Sequence, residues 1–220
     1  MQSKDVAKLR SKLWGGDLVT ADDWNSPDVA RWMGSWNSWG DSSIRALQSL
    51  PHVKDLLQRA RQSRVLDFGC GPGLLVGHLQ PLCKHVVGLD VAQAMIDQLN
   101  AKRQAAGWQN VGAVALDITD GKDAEELARV PGGPFDLVVS VTVLGFIARR
   151  KDDDVAALRA LRTVMAPAGL FVHMDWPGAS CSDVAGAREL YAAAGLEFVH
   201  FGHASIGGAG VCVGIARQAG

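Results

Sequence analysis

Three glycines, each separated from the next by one residue, follow an apolar stretch in the sequence RVLDFGCGPGLL at residues 64–75. The apolar residues around Asp67 predict a buried strand, and the apolar spacing from Leu74 to Leu79 predicts a helix after the glycines. Glycines in a strand-to-helix turn let the backbone approach a ligand closely, and the first amides of the helix then face that ligand. The chemistry expected of this stretch is therefore the binding of a small ligand by backbone groups.

The spacing of the glycines indicates which ligand is held. Gly69, Gly71 and Gly73 follow a Gly-x-Gly-x-Gly pattern, whereas dinucleotide-binding folds use Gly-x-Gly-x-x-Gly. Asp67, inside the strand, would repel a pyrophosphate but would attract an ammonium group. A Gly-Lys-Ser/Thr phosphate loop is also absent from the sequence. The pattern favours a cofactor with an adenosine part and a cationic amino-acid part.

The remaining elements alternate in a way that would position this loop at the edge of a sheet. Further strands are predicted at residues 85–91, 110–118, 135–144 and 169–176, with helices at residues 92–106, 152–165 and 182–194. Two apolar runs, residues 196–203 and 210–218, are close enough to pair as a hairpin at the sheet edge. Alternating strands and helices predict an α/β fold with a parallel sheet covered on both faces.

The first 60 residues differ from the rest because they hold five of the seven tryptophans. We expect residues 1–60 to form a helical cap, or lid, over a core of residues 61–220. Trp32, Trp36 and Trp39 are four and three residues apart, so their three rings would fall on one face if residues 28–39 formed one helix. Two roles explain these tryptophans equally well: packing against the sheet, and an aromatic wall beside a substrate.

Composition narrows the partners and the location. The net charge is −1 and no dense run of lysine and arginine occurs, so no nucleic-acid partner is expected. The chain shows no signal-like segment and no apolar stretch of membrane-spanning length, so we expect no membrane span and a cytoplasmic protein. The four cysteines are scattered, and His200 and His203 lack further ligands at suitable spacing, so no disulfide framework and no metal site are expected.

Four segments carry a family resemblance. VLDFGCGPGLL, VVGLDVAQAMI, ALDITD and FDLVVSVTVL, in this order, resemble the Rossmann-like (class I) S-adenosylmethionine-dependent methyltransferases, in particular the small-molecule branch with the ubiquinone- and menaquinone-type enzymes. The resemblance spans residues 24–196. It implies a three-layer sandwich whose seven-stranded, mostly parallel sheet has its last strand inserted antiparallel beside the fifth. It also implies S-adenosylmethionine as cofactor and a small-molecule methyl acceptor.

The resemblance implies a cofactor site at the ends of the first four strands. The glycine loop would lie along the methionine part, the second-strand aspartate would bind both ribose hydroxyls, and two apolar positions would flank the adenine. The pair after the third strand would bind the adenine edge, and the segment past the fourth strand would lie beside the sulfonium. These residues are Asp67, Gly69, Cys70, Gly71, Gly73, Asp90, Val91, Met95, Asp117, Ile118, Ser140, Val141 and Thr142.

Simpler roles exist for some of these residues. An aspartate at the end of a strand is often only the cap of the next helix, which applies to Asp90 and Asp117 taken singly. Met95 lies at helical spacing with Leu99, so it also suits the core. The glycine loop and the aspartates taken together favour the binding role.

Methyl transfer from a sulfonium is an in-line displacement with a neutral leaving group, so alignment and exclusion of water supply much of the acceleration. A base is needed only if the acceptor must lose a proton, and Asp175 and His173 are then the nearest candidates. We expect Trp36, Trp39 and Phe146 to border the acceptor.

Two departures bear on the acceptor. Many relatives continue the fourth strand into Leu-His-His, whereas this chain has Gly145 and Phe146 there, so the substrate class does not carry over. The chain also lacks the Asn/Asp-Pro-Pro-Tyr/Phe signature, so adenine-type acceptors are not expected. Two alternatives stay open beside a small-molecule enzyme: a protein side-chain methyltransferase and a non-catalytic binding subunit. Retention of Asp67, Asp90 and Asp117 argues against the second alternative.

Overall fold

A computed structural model describes residues 3–58, 62–119, 121–147, 153–177 and 183–218. Its strands all belong to one seven-stranded sheet. They are β1 (Arg64–Phe68), β2 (His85–Asp90), β3 (Val111–Ala115), β4 (Phe135–Val141), β5 (Met165–Asp175), β6 (Leu196–Ile206) and β7 (Ala209–Gln218).

The helices fall into an N-terminal group and a group that connects the strands. The N-terminal group comprises α1 (Lys4–Gly15), α2 (Ala21–Trp24), α3 (Pro27–Gly34), α4 (Asn37–Ser49) and α5 (Pro51–Gln58). The connecting group comprises α6 (Val76–Leu79), α7 (Gln93–Ala106), α8 (Gly121–Leu127), α9 (Leu144–Ile147), α10 (Asp153–Val164) and α11 (Val184–Ala193). None of the helices in these ranges combines the length and the apolar character needed to cross a bilayer.

The sheet has the strand order β3-β2-β1-β4-β5-β7-β6, and β1 to β5 pair in parallel. β7 pairs antiparallel with both β5 and β6, so the last strand lies between them. Residues 211–216 of β7 are buried without alternation, as expected of a strand covered on both faces. The predicted seven strands and the insertion of the last one are confirmed, although only β6 of the final hairpin lies on the edge.

Two apolar clusters cover the two faces and make the fold a three-layer sandwich. One face packs against α8, α9, α10 and α11, with Phe135, Phe171 and Tyr191 among its buried side chains. The other face packs against α4, α5, α6 and α7, with Leu47 and Leu99 completely buried. Helices α4 and α5 therefore belong to the covering layer, although they precede the first strand.

A third cluster joins α1 and α3 to α7 and is separate from the two main ones. Val6, Leu9 and Val29 pack there against Met95. Within the same N-terminal segment, Asp23 of α2 accepts hydrogen bonds from Lys12 and Thr20. Burial alone would raise the pKa of Asp23, but these bonds hold that pKa well below its usual range. Residues 3–34, which we call the arm, are thus attached to the sandwich mainly through α7.

Residues 28–39 do not form one helix, so the condition for placing the three tryptophan rings on one helix face is not met. Helix α3 ends at Gly34, and Trp36 is the N-cap of α4. The Ser35 hydroxyl donates to the carbonyl oxygen of Trp32 (2.6 Å), a local bond by which serine competes with helix continuation. A Cβ at Gly34 would lie 2.6 Å from the Gln98 side chain, so a larger residue could not replace this weak helix former without a shift.

Leu99 joins α7 to the glycine loop. A Cβ at Gly73 or Gly88 would lie 2.5 or 2.6 Å from its methyl carbons, and the side chain is completely buried. We expect Leu99→Ala to lower the free energy of unfolding by about 2–5 kcal/mol because it leaves a cavity that the surroundings cannot fill. Denaturant titration measures this. Leu18→Ala, at a leucine that is 48% exposed, is the control and should change stability by less than about 0.5 kcal/mol. Equal losses in the two variants would contradict the packing described here.

Candidate cofactor and active site

The predicted cofactor residues meet at the carboxyl edge of the sheet. β3, β2, β1 and β4 are neighbours, and the chain reverses its direction of strand addition between β1 and β4. Ligands of open α/β sheets bind at this kind of switch point. The amides of Gly69 and Cys70 both donate to the carbonyl oxygen of Leu89 (2.7 and 3.0 Å), which fixes the loop after β1 against the end of β2.

The three glycines of the loop have different roles. All have positive φ angles, 71° at Gly69, 52° at Gly71 and 77° at Gly73, which other residues rarely adopt. A Cβ at Gly69 would clash with Val143, and one at Gly73 would crowd Leu99. A Cβ at Gly71 would meet nothing within 4 Å. Gly69 and Gly73 therefore permit close packing, while Gly71 leaves open space at the edge.

Asp67 and Asp90 are buried side by side at this edge and are satisfied unequally. The Asp90 carboxylate accepts hydrogen bonds from the amides of Gly71 (2.8 Å) and Ala92 (2.9 Å). Oδ2 of Asp67 is buried without a hydrogen-bond partner. Burial, reinforced by the negative charge of Asp90, raises the pKa of Asp67 to about 8. Burial also raises the pKa of Asp90, against the effect of its backbone bonds.

The Cys70 side chain points into the core while its backbone belongs to the loop. It packs in the cluster beneath α4 to α7, and its thiol donates to the carbonyl oxygen of Gly71 (3.3 Å). Burial and the carboxylates of Asp90 and Asp67 raise the pKa of the thiol well above its usual value. Only the Cys70 backbone is placed to approach a ligand.

The two apolar positions predicted to flank the adenine differ in exposure. Val91 follows Asp90 directly and is 38% exposed, so its side chain is available at the edge. Met95 is 2% exposed and packs in the cluster that holds the arm. The structure gives Met95 the core role, and its contact with adenine stays a prediction.

The segment after β3 is held by its own side chains. Oδ1 of Asp117 accepts from the amide (3.1 Å) and the hydroxyl (2.6 Å) of Thr119. The Asp117 amide donates to the Asp123 carboxylate (2.9 Å), and Ile118 is buried. Thr119 and Asp123 therefore position the predicted pair. The Asp-x-Thr spacing is the signal that identifies Thr119 in the sequence.

The segment predicted to lie past β4 begins earlier than expected. Ser140 and Val141 are the last residues of β4, and Ser140 is completely buried with an unpartnered Oγ. Thr142 follows the strand with a φ of 57°, a left-handed conformation that is costly for a β-branched residue. Its amide donates to the carbonyl oxygen of Met174 (2.7 Å). Strain of this kind concentrates at functional sites, which favours Thr142 as the contact from β4.

Neither predicted base is open to an acceptor. His173 is completely buried, with Nδ1 hydrogen-bonded to the Tyr191 hydroxyl (2.7 Å), so its position does not support a catalytic role. Asp175 is also buried, and its carboxylate accepts from the amides of Gly145 and Trp176 (both 3.2 Å). Burial raises the pKa of Asp175 to about 6 against these bonds. Its bond to Gly145 holds the start of α9, the helix that carries Phe146.

Aromatic rings form a continuous row from Trp32 in α3 to Trp176, which directly follows β5. Ring centroids are 4.7 Å apart for Trp32 and Trp36, 6.0 Å for Trp36 and Trp39, and 5.5 Å for Trp39 and Trp176. Phe146 contacts Trp24 across a separate pair at 5.5 Å. Trp176 was not predicted as a site residue, although its place directly after Asp175, at the end of the predicted strand, was a usable signal.

The residues of this edge fit S-adenosylmethionine. The buried, unpartnered oxygen of Asp67 suits the ammonium group of the cofactor, and the open space at Gly71 allows backbone approach. The Asp90 carboxylate is an acceptor at the position that the resemblance gives to the ribose. No cluster of three or more metal-ligating side chains occurs within the described ranges.

The proton held by Asp67 makes the stability of the protein depend on pH. Its pKa in the folded state, about 8, lies above its ordinary value of 3.8, so the folded chain binds more protons than the unfolded chain between these pH values. The free energy of unfolding therefore falls as the pH rises through this window. We expect Asp67→Asn to melt at a higher temperature than the wild type at pH 8, by about 2–4 °C for each kcal/mol gained. Thermal melts at pH 4 are the control, since the difference should shrink there. A difference independent of pH would contradict a protonated Asp67.

Comparison with known proteins finds similarity to methyltransferases in sequence and in fold. Residues 66–171 match a methyltransferase domain family. An uncharacterised methyltransferase of Schizosaccharomyces pombe is 37% identical over 94 residues, which cover 41% of this chain and 31% of that protein. A ubiquinone biosynthesis O-methyltransferase of Cereibacter sphaeroides is 34% identical over 109 residues, 50% of this chain and 39% of the relative. The matched part of the chain thus spans between about a third and a half of the length of the curated relatives that it matches.

Solved structures share the whole fold. Magnesium protoporphyrin IX methyltransferase from Synechocystis, with bound S-adenosylmethionine, has a TM-score of 0.62 at 18% identity, covering 99% of this chain and 93% of that one. The [4+2]-cyclase SpnF has a TM-score of 0.57 at 15% identity, and the match covers 88% of this chain and 96% of the cyclase chain. The matched family, the relatives and the strand order agree with the resemblance seen in the sequence. The chain thus contains a methyltransferase domain at residues 66–171 and resembles the class I S-adenosylmethionine-dependent methyltransferases, including their ubiquinone-type members.

Proposed function

We propose that the protein transfers a methyl group from S-adenosylmethionine to a small-molecule acceptor. The observation that carries the proposal is the buried Asp67 oxygen without a partner, next to the open space at Gly71. A buried polar group left unpaired costs free energy, and a cationic ligand would remove this cost. A fold shared with a [4+2]-cyclase does not by itself fix the reaction, so the proposal rests on these residues.

Several groups would hold the cofactor. Asp67 would face the ammonium group, the backbone of Gly69 to Gly71 would follow the methionine part, and Asp90 would accept hydrogen bonds from the ribose. Asp117, Ile118 and Val91 would surround the adenine. When bound, the cofactor supplies an electrophilic methyl group on a cationic sulfur.

On the acceptor side we propose a wall made of Trp36, Trp39 and Phe146. Tryptophan and phenylalanine side chains offer large apolar faces that fix a flat ligand and exclude water. The residues thereby supply alignment, which suffices for a displacement that releases a neutral thioether. We assign Asp175 a positioning role, since its bond to Gly145 fixes the helix that carries Phe146.

Two further features belong to the proposal. Residues 1–60 would act as the lid of the core formed by residues 61–220, with the arm as the part that opens. The protein would work in the cytoplasm, in keeping with the buried, reduced thiols of Cys70 and Cys83, and without a nucleic-acid partner, in keeping with its net charge of −1.

The ribose contact is tested with Asp90→Ala. We expect this variant to bind S-adenosylhomocysteine more weakly by ~2 kcal/mol, about thirtyfold, because charge-assisted hydrogen bonds are lost. Isothermal titration calorimetry measures the affinity. Asp97→Ala is the control, since it removes an exposed carboxylate from the neighbouring helix α7 and should leave binding unchanged. Unchanged binding by Asp90→Ala, or tighter binding of NAD than of S-adenosylmethionine by the wild type, would overturn the cofactor assignment.

The lid is tested by limited proteolysis with and without S-adenosylhomocysteine. The arm is anchored to α7, beside the end of β2, so we expect the ligand to slow cleavage before residue 40 at least threefold. Tryptophan emission should shift in the same titration. The exposed Trp14 lies outside the aromatic row, so Trp14→Phe controls for the signal of a ring at the surface. If the ligand changes neither the cleavage rate nor the emission spectrum, the arm only packs against the core and does not act as a lid.

Release of S-adenosylhomocysteine in the presence of small aromatic acceptors or of denatured protein substrates separates the two acceptor classes. Turnover with protein substrates alone would favour the side-chain alternative.

A further inference from the structure

A polar groove lies between α4 and the turn that joins β6 to β7. It encloses about 560 Å³, a volume suited to a small molecule. Ser38, Ser42 and Arg45 line it from one face of α4, at spacings of four and three residues, and His203 and Gly207 line it from the other side. The cofactor edge and the aromatic row do not account for this groove.

The walls of the groove are fixed by specific contacts. The Gly207 amide donates to the Ser42 hydroxyl (2.9 Å), which in turn donates to the carbonyl oxygen of Ser38 (2.7 Å). Gly207 has a φ of 58°, and a Cβ there would lie 2.7 Å from the ring of Trp39. The turn between the strands is therefore packed against Trp39, and the groove is already formed in the structure.

The groove is cationic. Arg45 and His203 are exposed, and none of the ion pairs among the described residues uses the Arg45 guanidinium. Asp41, one turn earlier on α4, lies near His78 (3.3 Å). Among the described residues that line the groove, none is acidic. An anion would thus find the Arg45 guanidinium, with the hydroxyls of Ser38 and Ser205 in the same lining.

Trp39 connects the groove to the proposed acceptor wall. One part of its ring packs against Gly207, and the ring also contacts Trp176 at the end of β5 (5.5 Å). Trp39 thus lies between Gly207, which borders the groove, and Trp176, the residue directly after β5. A flat molecule could therefore lie along the tryptophans with one end in the groove.

We propose that the methyl acceptor is an aromatic acid, whose carboxylate or similar anionic group binds Arg45 in this groove while its ring lies against Trp39. This inference deepens the proposed function and rests on it, because the bound molecule is an acceptor only if the protein transfers a methyl group. The binding of an aromatic anion by the groove does not depend on methyl transfer.

The test uses two flat probes of nearly equal shape, 2-naphthoate and its uncharged amide, 2-naphthamide. Calorimetry with the full chain, in the presence and absence of S-adenosylhomocysteine, should give at least tenfold tighter binding of the naphthoate. Arg45→Gln should abolish this preference. Arg10→Gln is the matched control, since Arg10 is an exposed arginine stacked on Trp14 outside the row, and the preference should persist.

Equal binding of the two probes, no binding of the naphthoate, or a preference that survives Arg45→Gln would overturn the proposal. Melting temperatures of both arginine variants should equal that of the wild type, because both side chains are exposed. Binding of S-adenosylhomocysteine in the same titrations reports on the proposed function separately. A protein that binds this ligand but not the naphthoate fails only the groove proposal, and one with the reverse behaviour fails only the cofactor assignment.

Discussion

The burial of two carboxyl groups at the carboxyl edge of a parallel sheet is the constraint on which the site depends. Asp67 and Asp90 are placed there by β1 and β2, and removing them from water is costly unless partners replace the solvent. Asp90 has its partners in the amides of Gly71 and Ala92, so its carboxylate holds the loop to the start of α7. Asp67 keeps one oxygen unpartnered. The edge is thus built around one satisfied and one unsatisfied acid.

The same edge is linked to the arm through the N-terminus of α7. The Asn25 side chain accepts a hydrogen bond from the Ala94 amide (3.0 Å), two residues after the amide bound by Asp90. Two amides at the N-terminus of α7 therefore donate hydrogen bonds to different partners: Ala92 to Asp90 at the end of β2, and Ala94 to the Asn25 side chain of the arm. A change in the position of the arm would alter the environment of Asp90, which gives the lid proposal a physical route.

Local patterns in the sequence predicted the parts of the fold that depend on neighbours along the chain. The glycine spacing identified the loop, and the aspartate after a run of valines identified the end of β2. The insertion of β7 came from the family resemblance, because residues 211–216 are apolar on both faces and alternation cannot place such a strand. The break at Ser35 was not foreseen because the spacing of the tryptophans continues across it, although the bond from the Ser35 hydroxyl to the Trp32 carbonyl is local. The roles of Trp176, Thr142 and Asp175 depend on residues distant in the sequence.

The buried thiol of Cys70 has a consequence for the survival of the protein beside a reactive cofactor. A sulfonium methyl group alkylates thiolates, and Cys70 belongs to the glycine loop that is proposed to follow the methionine part of the cofactor. The thiolate, not the thiol, is the nucleophile. Burial and the two acids disfavour the thiolate, and the side chain faces the core. The proposed arrangement for a cationic methyl donor would therefore also protect Cys70 from alkylation.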